Sequence, residues 1–462
     1  MHLLQPHLHT RRAFLQRAGQ LTLAGTALPT ALNLAALGEA AAATASDYKA
    51  LVCVFLYGGN DYANMVVPVD ADGYKAYAAA RPTLATPLDK LLALTPRVAL
   101  TGADAGRQIA LAPQLGKLQT LFNAGRLGVQ LNVGTLVQPT TLAQYKARKV
   151  PLPPHLFSHN DQQSVWQSIG AEGTTTGWGG RIGDQFLSAN GGSLFTCVNV
   201  SGNAVFLSGQ QALQYIVAPS GATAISGLSK VYGSRDCADA LRSLISAGDR
   251  THWMEQQLCD VTNRTIGAQS LFSAALAGVP APATAFDATN PLATQLQMVA
   301  KMIAARSGLG ASRQVFFVSM GGFDLHSGLP AAHPKLLSSL ADALVSFHDA
   351  TVELGVASQV TSFTASEFGR TLVSNGDGAD HGWGAHHFLM GGAVQGGRLW
   401  GKLPSGVPNG ADDTGRGSPI PSSSVDQLAA TLARWMGLSD ADIAGMLPQI
   451  ANFTQTDMGY FG

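Results

Sequence analysis

Charge is scarce in this sequence. Asp, Glu, Lys and Arg make up 13% of its 462 residues, about half the usual share for a soluble protein. The charge that exists cancels, with 29 basic against 29 acidic side chains. No net field therefore draws in nucleic acid or an acidic membrane surface, and small or neutral ligands fit better. Cysteine is also rare, and Cys53, Cys197, Cys237 and Cys259 have no zinc-site spacing. Cys53 sits in an apolar run and reads as a small core residue. Cys237 and Cys259 bracket a polar helical stretch and could pair in an oxidising compartment, which spacing alone does not decide. No internal repeat is found. The 52 glycines fall in turn-sized clusters, which argues for many tight turns and against a fibrous or low-complexity chain. Hydrophobic residues, at 46%, are enough for a large globular core.

Residues 1–45 read as an export address. Thr10, Arg11, Arg12, Ala13, Phe14, Leu15 places paired arginines before an apolar pair, an uncharged stretch rich in Ala, Leu and Thr runs to Leu37, and Ala41, Ala42, Ala43, Thr44, Ala45 supplies small residues for cleavage. This order is a twin-arginine signal. Pro29, Asn33 and the many alanines argue against a membrane anchor, which needs about 20 strongly apolar residues. No Cys lies at the cleavage region, which argues against lipid attachment. The mature chain is expected to be periplasmic or secreted, with no membrane span once the signal is removed.

The run Leu51–Tyr57 has the continuous apolar pattern of a strand buried on both faces, and it stops at Gly58, Gly59, Asn60, Asp61. A helix is expected over 111–124 and a strand over 127–133. Towards the C-terminus, helix 292–305, strand 314–320, helix 334–354 and strand 359–365 alternate. Such alternation predicts an α/β fold with a mainly parallel sheet flanked by helices on both faces. One domain is expected over 46–462, with the Gly-, Ser- and Ala-rich stretch of about 195–288 as an insertion or cap.

Candidate chemistry gathers where strands end, because in open α/β sheets ligands bind outside the carboxyl ends of the strands. Three strands end in a carboxylate: Asp61, Asp324 and Glu367. Each alone reads as a turn residue; three in equivalent positions point to a shared site. Of twelve histidines, six lie between Phe323 and Phe388. His333 and His348 fall on a helix and read as surface or packing residues. His326 follows Asp324 by two, and Asp380, His381, His386 and His387 crowd into a loop. Mixed carboxylate and imidazole donors suit zinc, manganese or iron rather than calcium or magnesium. The alternative is a hydrogen-bonded polar loop. Ser158 precedes a helix carrying Val165 and Trp166, where the dipole favours an alkoxide or a bound anion. With Asp161 three residues on, it equally reads as a capping box.

The blocks GGNDYANMVVP (58–68), SHNDQQSVWQS (158–168), TGWGGRIGD (176–184), GGFDLH (321–326), SEFGRT (366–371) and DHGWGAHHFLMGGAVQGG (380–397) together resemble the bacterial domain family numbered 1501, whose members commonly carry twin-arginine signals. The resemblance covers nearly all of the mature chain. That family is grouped with the alkaline phosphatase and sulfatase-like superfamily. The resemblance implies a nucleophile at a helix start, matching Ser158. It implies one metal site with Asp324, His326 and His386 or His387, and another with Asp61 and a strand-end Asp-His pair. The last position departs from the pattern, because the chain reads Ser366, Glu367, Phe368; Asp380 and His381 are candidates to substitute. Arg370 would neutralise the non-bridging oxygens. The expected function is metal-dependent hydrolysis of a phosphate or sulfate ester of a small molecule, glycan or lipid, with one or two divalent ions such as zinc or manganese. The alternative is a non-catalytic binding or assembly protein that retains the fold.

Overall fold

Strand β1 (Lys49–Leu56) is buried at every position after the first. Its alternation divides the core. Ala50, Val52, Val54 and Leu56 face one hydrophobic layer, and Leu51, Cys53 and Phe55 face the other, as the period-two geometry of a strand demands. A strand coated on both faces belongs inside a sheet covered by helices on each side. The computed structural model describes residues 47–462, so the expected export signal lies outside the described residues.

The other strands that matter here are β2 (Leu127–Gly134), β3 (Cys197–Asn199), β4 (Gln214–Ile216), β5 (Arg313–Met320), β6 (Val360–Ala365), β7 (Arg370–Ser374), β8 (Ala379–His381), β9 (Ala385–Gly391), β10 (Leu399–Trp400) and β11 (Ser423–Ser424). The order across the main sheet is β10-β2-β9-β6-β1-β5-β3-β4, with β11 beside β2; β7 and β8 form a separate two-stranded ribbon. β1 runs parallel to β5, pairing Leu56 with Met320, and parallel to β6, pairing Phe55 with Ala365. Only β9 runs against its neighbours β2 and β6, so the sheet is mainly parallel, as expected.

The helices that matter here are α1 (Gly116–Asn123), α2 (His159–Ser168), α3 (Trp178–Phe186), α4 (Arg235–Ser246), α5 (Trp253–Ala277), α6 (Pro291–Ala304), α7 (Leu329–Glu353) and α8 (Val425–Met436). Residues of α1, α5, α6 and α7 share one layer; those of α2, α3 and α8 share the other. Residues 48–462 form one compact unit. Among the described residues no helix is long and apolar enough to cross a membrane.

Three details differ from the sequence expectation. Residues 109–111 form a short strand, and Pro113, which fits a first helical turn, opens a 3-10 turn before α1 begins at Gly116. α7 starts at Leu329 rather than at Pro334, with Pro330 in its first turn and Pro334 inside it. The segment read as an insertion contributes β3 and β4 to the sheet edge before its helical portion begins at Arg235.

Candidate metal centre

The carboxyl ends of β6, β1 and β5 lie side by side, so the loops carrying Glu367, Asp61 and Asp324 leave the sheet together. Gly58 makes their close approach possible. Its φ is +118°, and a Cβ there would meet the Asp324 backbone nitrogen at 2.3 Å, so no other residue fits between the β1 and β5 loops. Its N–H donates to Glu367 Oε1 at 2.9 Å, locking the β1 loop to the β6 loop.

Three imidazoles converge on Asp324, and each is held from behind at Nδ1. His159, first residue of α2, has Nδ1 2.8 Å from Glu367 Oε1. His381, at the end of β8, has Nδ1 2.7 Å from the Phe157 carbonyl oxygen. His326 has Nδ1 3.4 Å from Asp380 Oδ1. A carbonyl or ionised carboxylate only accepts, so these nitrogens carry the proton, and in the neutral rings each Nε2 presents a lone pair. Those of His159 and His381 meet other acceptors, whereas that of His326 also faces the Arg370 Nη1 donor at 3.4 Å. His159 Nε2 lies 3.3 Å from Asp324 Oδ2 without the alignment of a hydrogen bond and has no hydrogen-bond partner among the described residues. His381 Nε2 lies 3.2 Å from Asp324 Oδ1 and 3.0 Å from His326 Nε2. Acceptors facing acceptors at these distances repel unless protons or a cation lie between them. An imidazole backed by an oxygen at Nδ1, with Nε2 free, is also the usual arrangement of a metal-ligating histidine. His159, Asp324 and His381 each offer a ligand atom within 4.8 Å of the others. These donors fit a divalent transition ion.

Electrostatics follow the contacts. The hydrogen bond to Glu367 raises the pKa of His159 above the usual histidine value. Burial lowers that of His381. Burial would raise Asp324, but the Arg370 guanidinium bonded to it outweighs that and holds the carboxyl below its ordinary range. Arg370 is fully buried. It donates to the carbonyls of Gly58, Gly59, Phe323 and Ala379 as well as to Asp324. Its donors bind the three strand-end loops together and are not free for a substrate, contrary to the role expected for it. The accessible cation is Arg416, half exposed and paired with Asp380.

The family described as a protein of unknown function (DUF1501) matches residues 48–448. The chain belongs to that family. No curated protein matches it. Similar solved structures include the lipoteichoic acid synthase LtaP from Listeria monocytogenes, at 8% identity over 88% of this chain and 77% of that one with a TM-score of 0.37. Another is the PsFucS1 sulfatase from Pseudoalteromonas sp., at 10% identity over 88% and 71% with a TM-score of 0.34.

Several candidate residues of this DUF1501 chain lie elsewhere. Asp61 is buried in a two-pronged ion pair with Arg81, at 2.6 and 2.7 Å, so its oxygens are committed to a guanidinium rather than to a metal. His386 and His387 were expected in a loop but sit in β9, inside the sheet. His386 Nδ1 accepts from the Asn132 N–H at 3.0 Å, and the ring of His387 packs edge-on against Trp166. Ser158 donates to Asp161 Oδ2 at 2.7 Å and does not cap the helix with its side chain. The ring of Phe368 packs beside His159 and His381, with centroids 4.9 and 4.5 Å away. Cys237 and Cys259 are both free thiols. His333 and His348 are buried packing residues. Glu367, expected as a strand-end metal ligand, instead supports His159 from behind and also accepts from Gln163 Nε2 at 3.1 Å; His159 and Gln163 were not picked out by the sequence.

The misplaced histidines carry a prediction of their own. Burial holds the imidazoles of His386 and His387 down to about 3 and that of His333 to about 4. The unfolded chain takes up these protons near pH 6.5, whereas the folded chain resists them. Their contribution to stability is complete above that pH and is lost as pH falls towards 4 and then 3, at about 1.4 kcal/mol per group per pH unit. Denaturant titrations at pH 7.5 and 5 should show a loss of several kcal/mol on acidification, reduced in His387→Gln; equal losses in both proteins would contradict the assignment.

Proposed function

We propose that this chain is an exported, metal-dependent hydrolase that cleaves a phosphate or sulfate ester of a small molecule, glycan or lipid. The observation that carries the reading is the convergence of the His159, His381 and His326 Nε2 atoms on Asp324, each ring held at Nδ1 by an oxygen. The sequence resemblance to the alkaline phosphatase and sulfatase-like superfamily supports the reaction class, and the paired arginines near the N-terminus support export by the twin-arginine route. Charge supports an anionic substrate. The carboxylates of Asp324, Glu367 and Asp380 outnumber the guanidiniums of Arg370 and Arg416 by one, so one divalent ion turns the centre net positive and receptive to an anion.

A divalent ion such as zinc or manganese, held by His159, Asp324 and His381 with His326 beside them, supplies Lewis acidity towards a phosphoryl or sulfuryl oxygen. Glu367 keeps the proton of His159 at Nδ1, and the Phe157 carbonyl does the same for His381. Arg370 fixes Asp324 and the three loops, so the donors need no rearrangement. Arg416 offers the exposed guanidinium for a non-bridging oxygen. One observation favours the rival reading of a binding or assembly protein: the Ser158 hydroxyl, expected as the nucleophile, is tied to Asp161. Water is taken as the source of the attacking oxygen in this reading.

Elemental analysis of folded protein purified without chelator tests this. About one equivalent of a transition ion is expected, lost in Asp324→Ala, together with turnover of aryl phosphate or sulfate esters. Folded, metal-free wild-type protein would sink the hydrolase reading. Retained metal without turnover would favour the binding protein.

A further inference from the structure

Only part of helix α5 rests on the body of the protein. Its 25 residues span about 37 Å. Positions 254, 258, 261, 265, 268, 272 and 275 follow one another at spacings of four and three, so they form a single stripe with a seven-residue repeat. The two halves of that stripe differ. Ala268, Phe272 and Ala275 are buried in the hydrophobic layer they share with β1, and the Phe272 ring packs against Phe195 and Tyr215, with centroids 6.1 and 5.8 Å away. Met254, Leu258 and Val261 carry the same stripe on into solvent, 59%, 65% and 45% exposed, with Trp253 beside them at 73%. α4 lies on another side of α5: the Asn263 amide, two residues beyond Val261 and so turned away from the stripe, donates to the carbonyl of Ser246 at the end of α4 at 2.9 Å.

A seam with a seven-residue repeat is shaped to receive another helix, each side chain fitting between those of its neighbour. A lipid surface fits it poorly. Helices that lie on membranes present Lys and Arg on their polar face, whereas between residues 253 and 265 this helix carries Glu255 and Asp260 against Arg264 alone. A second copy of the chain supplies a matching seam, and the area suffices. With the exposures above, Trp253, Met254, Leu258 and Val261 offer roughly 500 Å² of apolar surface per copy, so a pair reaches about 1,000 Å², the size from which an interface is specific, before any polar rim is added.

We infer that the N-terminal half of α5 is a self-association surface, on which a second copy of this chain packs antiparallel to form a two-fold dimer. The fold sets the direction. In a parallel pair the partner helix would run on past Thr265 along the seam, into the space where Ala268 and Phe272 already meet the body of the protein. In an antiparallel pair only the exposed halves overlap, and the two bodies lie beyond opposite ends. Aligning those halves sets Leu258 against the partner subunit's Val261 and Met254 against the partner subunit's Thr265. Gln257 then flanks the partner subunit's Arg264, and Glu255 flanks the partner subunit's Thr262, so no like charges meet.

Sedimentation equilibrium tests the association. At about 50 µM the wild-type protein should show twice the mass of one chain. Leu258→Glu should show the mass of one chain, its dissociation constant raised at least about 100-fold by two carboxylates brought unpaired into the seam. Because Leu258 is exposed within one copy, the circular dichroism of the variant should not change. Cross-linking tests the direction, in a Cys237→Ser background that removes the exposed thiol. Met254→Cys with Thr265→Cys should form a disulfide between chains on oxidation, and Met254→Cys alone should not. A monomeric wild type, or a dimer untouched by Leu258→Glu, would overturn the proposal, and a cross-link in the single variant would overturn the antiparallel pairing. A monomer that floats with phosphatidylglycerol vesicles, and no longer does so as Leu258→Glu, would put a lipid surface in place of the second copy.

Discussion

Replacing His159 with alanine is expected to empty the metal centre and to lower ester turnover by about 10³-fold or more, roughly 4 kcal/mol of transition-state stabilisation, while the protein stays folded. Three features set this expectation. His159 offers Nε2, the donor with no hydrogen-bond partner among the described residues, so its loss removes a ligand without stranding a buried group. Its side chain is 29% exposed, so little packing is lost. Its partner Glu367 keeps the Gly58 N–H and the Gln163 amide, so the carboxylate that remains is still bonded. Glu367→Gln should act through His159 in a graded way. Weakening the outer hydrogen bond typically costs about 10–100-fold in metal affinity, and added zinc should restore most of the activity at saturation. Metal content by mass spectrometry and thermal melting of each variant check the pair of results. A His159→Ala protein that keeps both its metal and its turnover would remove the centre from consideration; one that unfolds would mark His159 as structural.

The sheet and its site differ in how much of each the sequence discloses. The apolar runs at 51–57, 314–320 and 359–365 are all real parallel strands with bounds close to those expected, because a strand buried on both faces has no choice but to be apolar throughout. The idea that Asp61, Asp324 and Glu367 meet at neighbouring strand ends follows from the same pattern, and those ends are indeed neighbours. What each carboxylate does there is a matter of partners 20 to 208 residues away in the chain, and no local pattern encodes that. Asp61 faces Arg81, Glu367 faces His159, and only Asp324 is left half exposed. His386 and His387 misled because the density of histidines in 381–387 resembles a ligand loop, yet the Ala385–Gly391 stretch is also an apolar strand buried throughout. His159 escaped for the converse reason: it stands outside the histidine-rich segment, next to a serine that invited a nucleophile reading. Its one local signal was its position as first residue of a helix, which by itself fits many surface residues.

The second large effect expected is on stability, from the ion pair that removes Asp61 from the site. Arg81 is fully buried and gives every face of its guanidinium to the protein: two hydrogen bonds to Asp61, one to the Leu372 carbonyl at 2.7 Å and one to the Thr371 carbonyl at 2.8 Å. It thereby joins the β1 loop to β7. Arg81→Met removes the cation and leaves a buried carboxylate without its partner, which should cost about 3–5 kcal/mol. Acidity supplies a second signature. In the wild type burial pushes Asp61 up, but Arg81 outweighs it and holds the carboxyl below its ordinary range; the pair's contribution is therefore present above about pH 4 and is lost as pH falls through the depressed value. Without Arg81, burial, the largest influence on Asp61, outweighs the weaker pull of Arg370 and raises the carboxyl, so the destabilisation relative to wild type should shrink on acidification as Asp61 takes up a proton and becomes neutral. The double variant Asp61→Leu, Arg81→Met should recover much of the loss, because neither charge is then left alone in the core. Urea titrations of the wild type, the single and the double variant at pH 7.5 and 5 decide the matter. A single variant within about 1 kcal/mol of wild type, the range of an exposed pair, would mean that water reaches Asp61 and that its carboxylate is open to other partners after all.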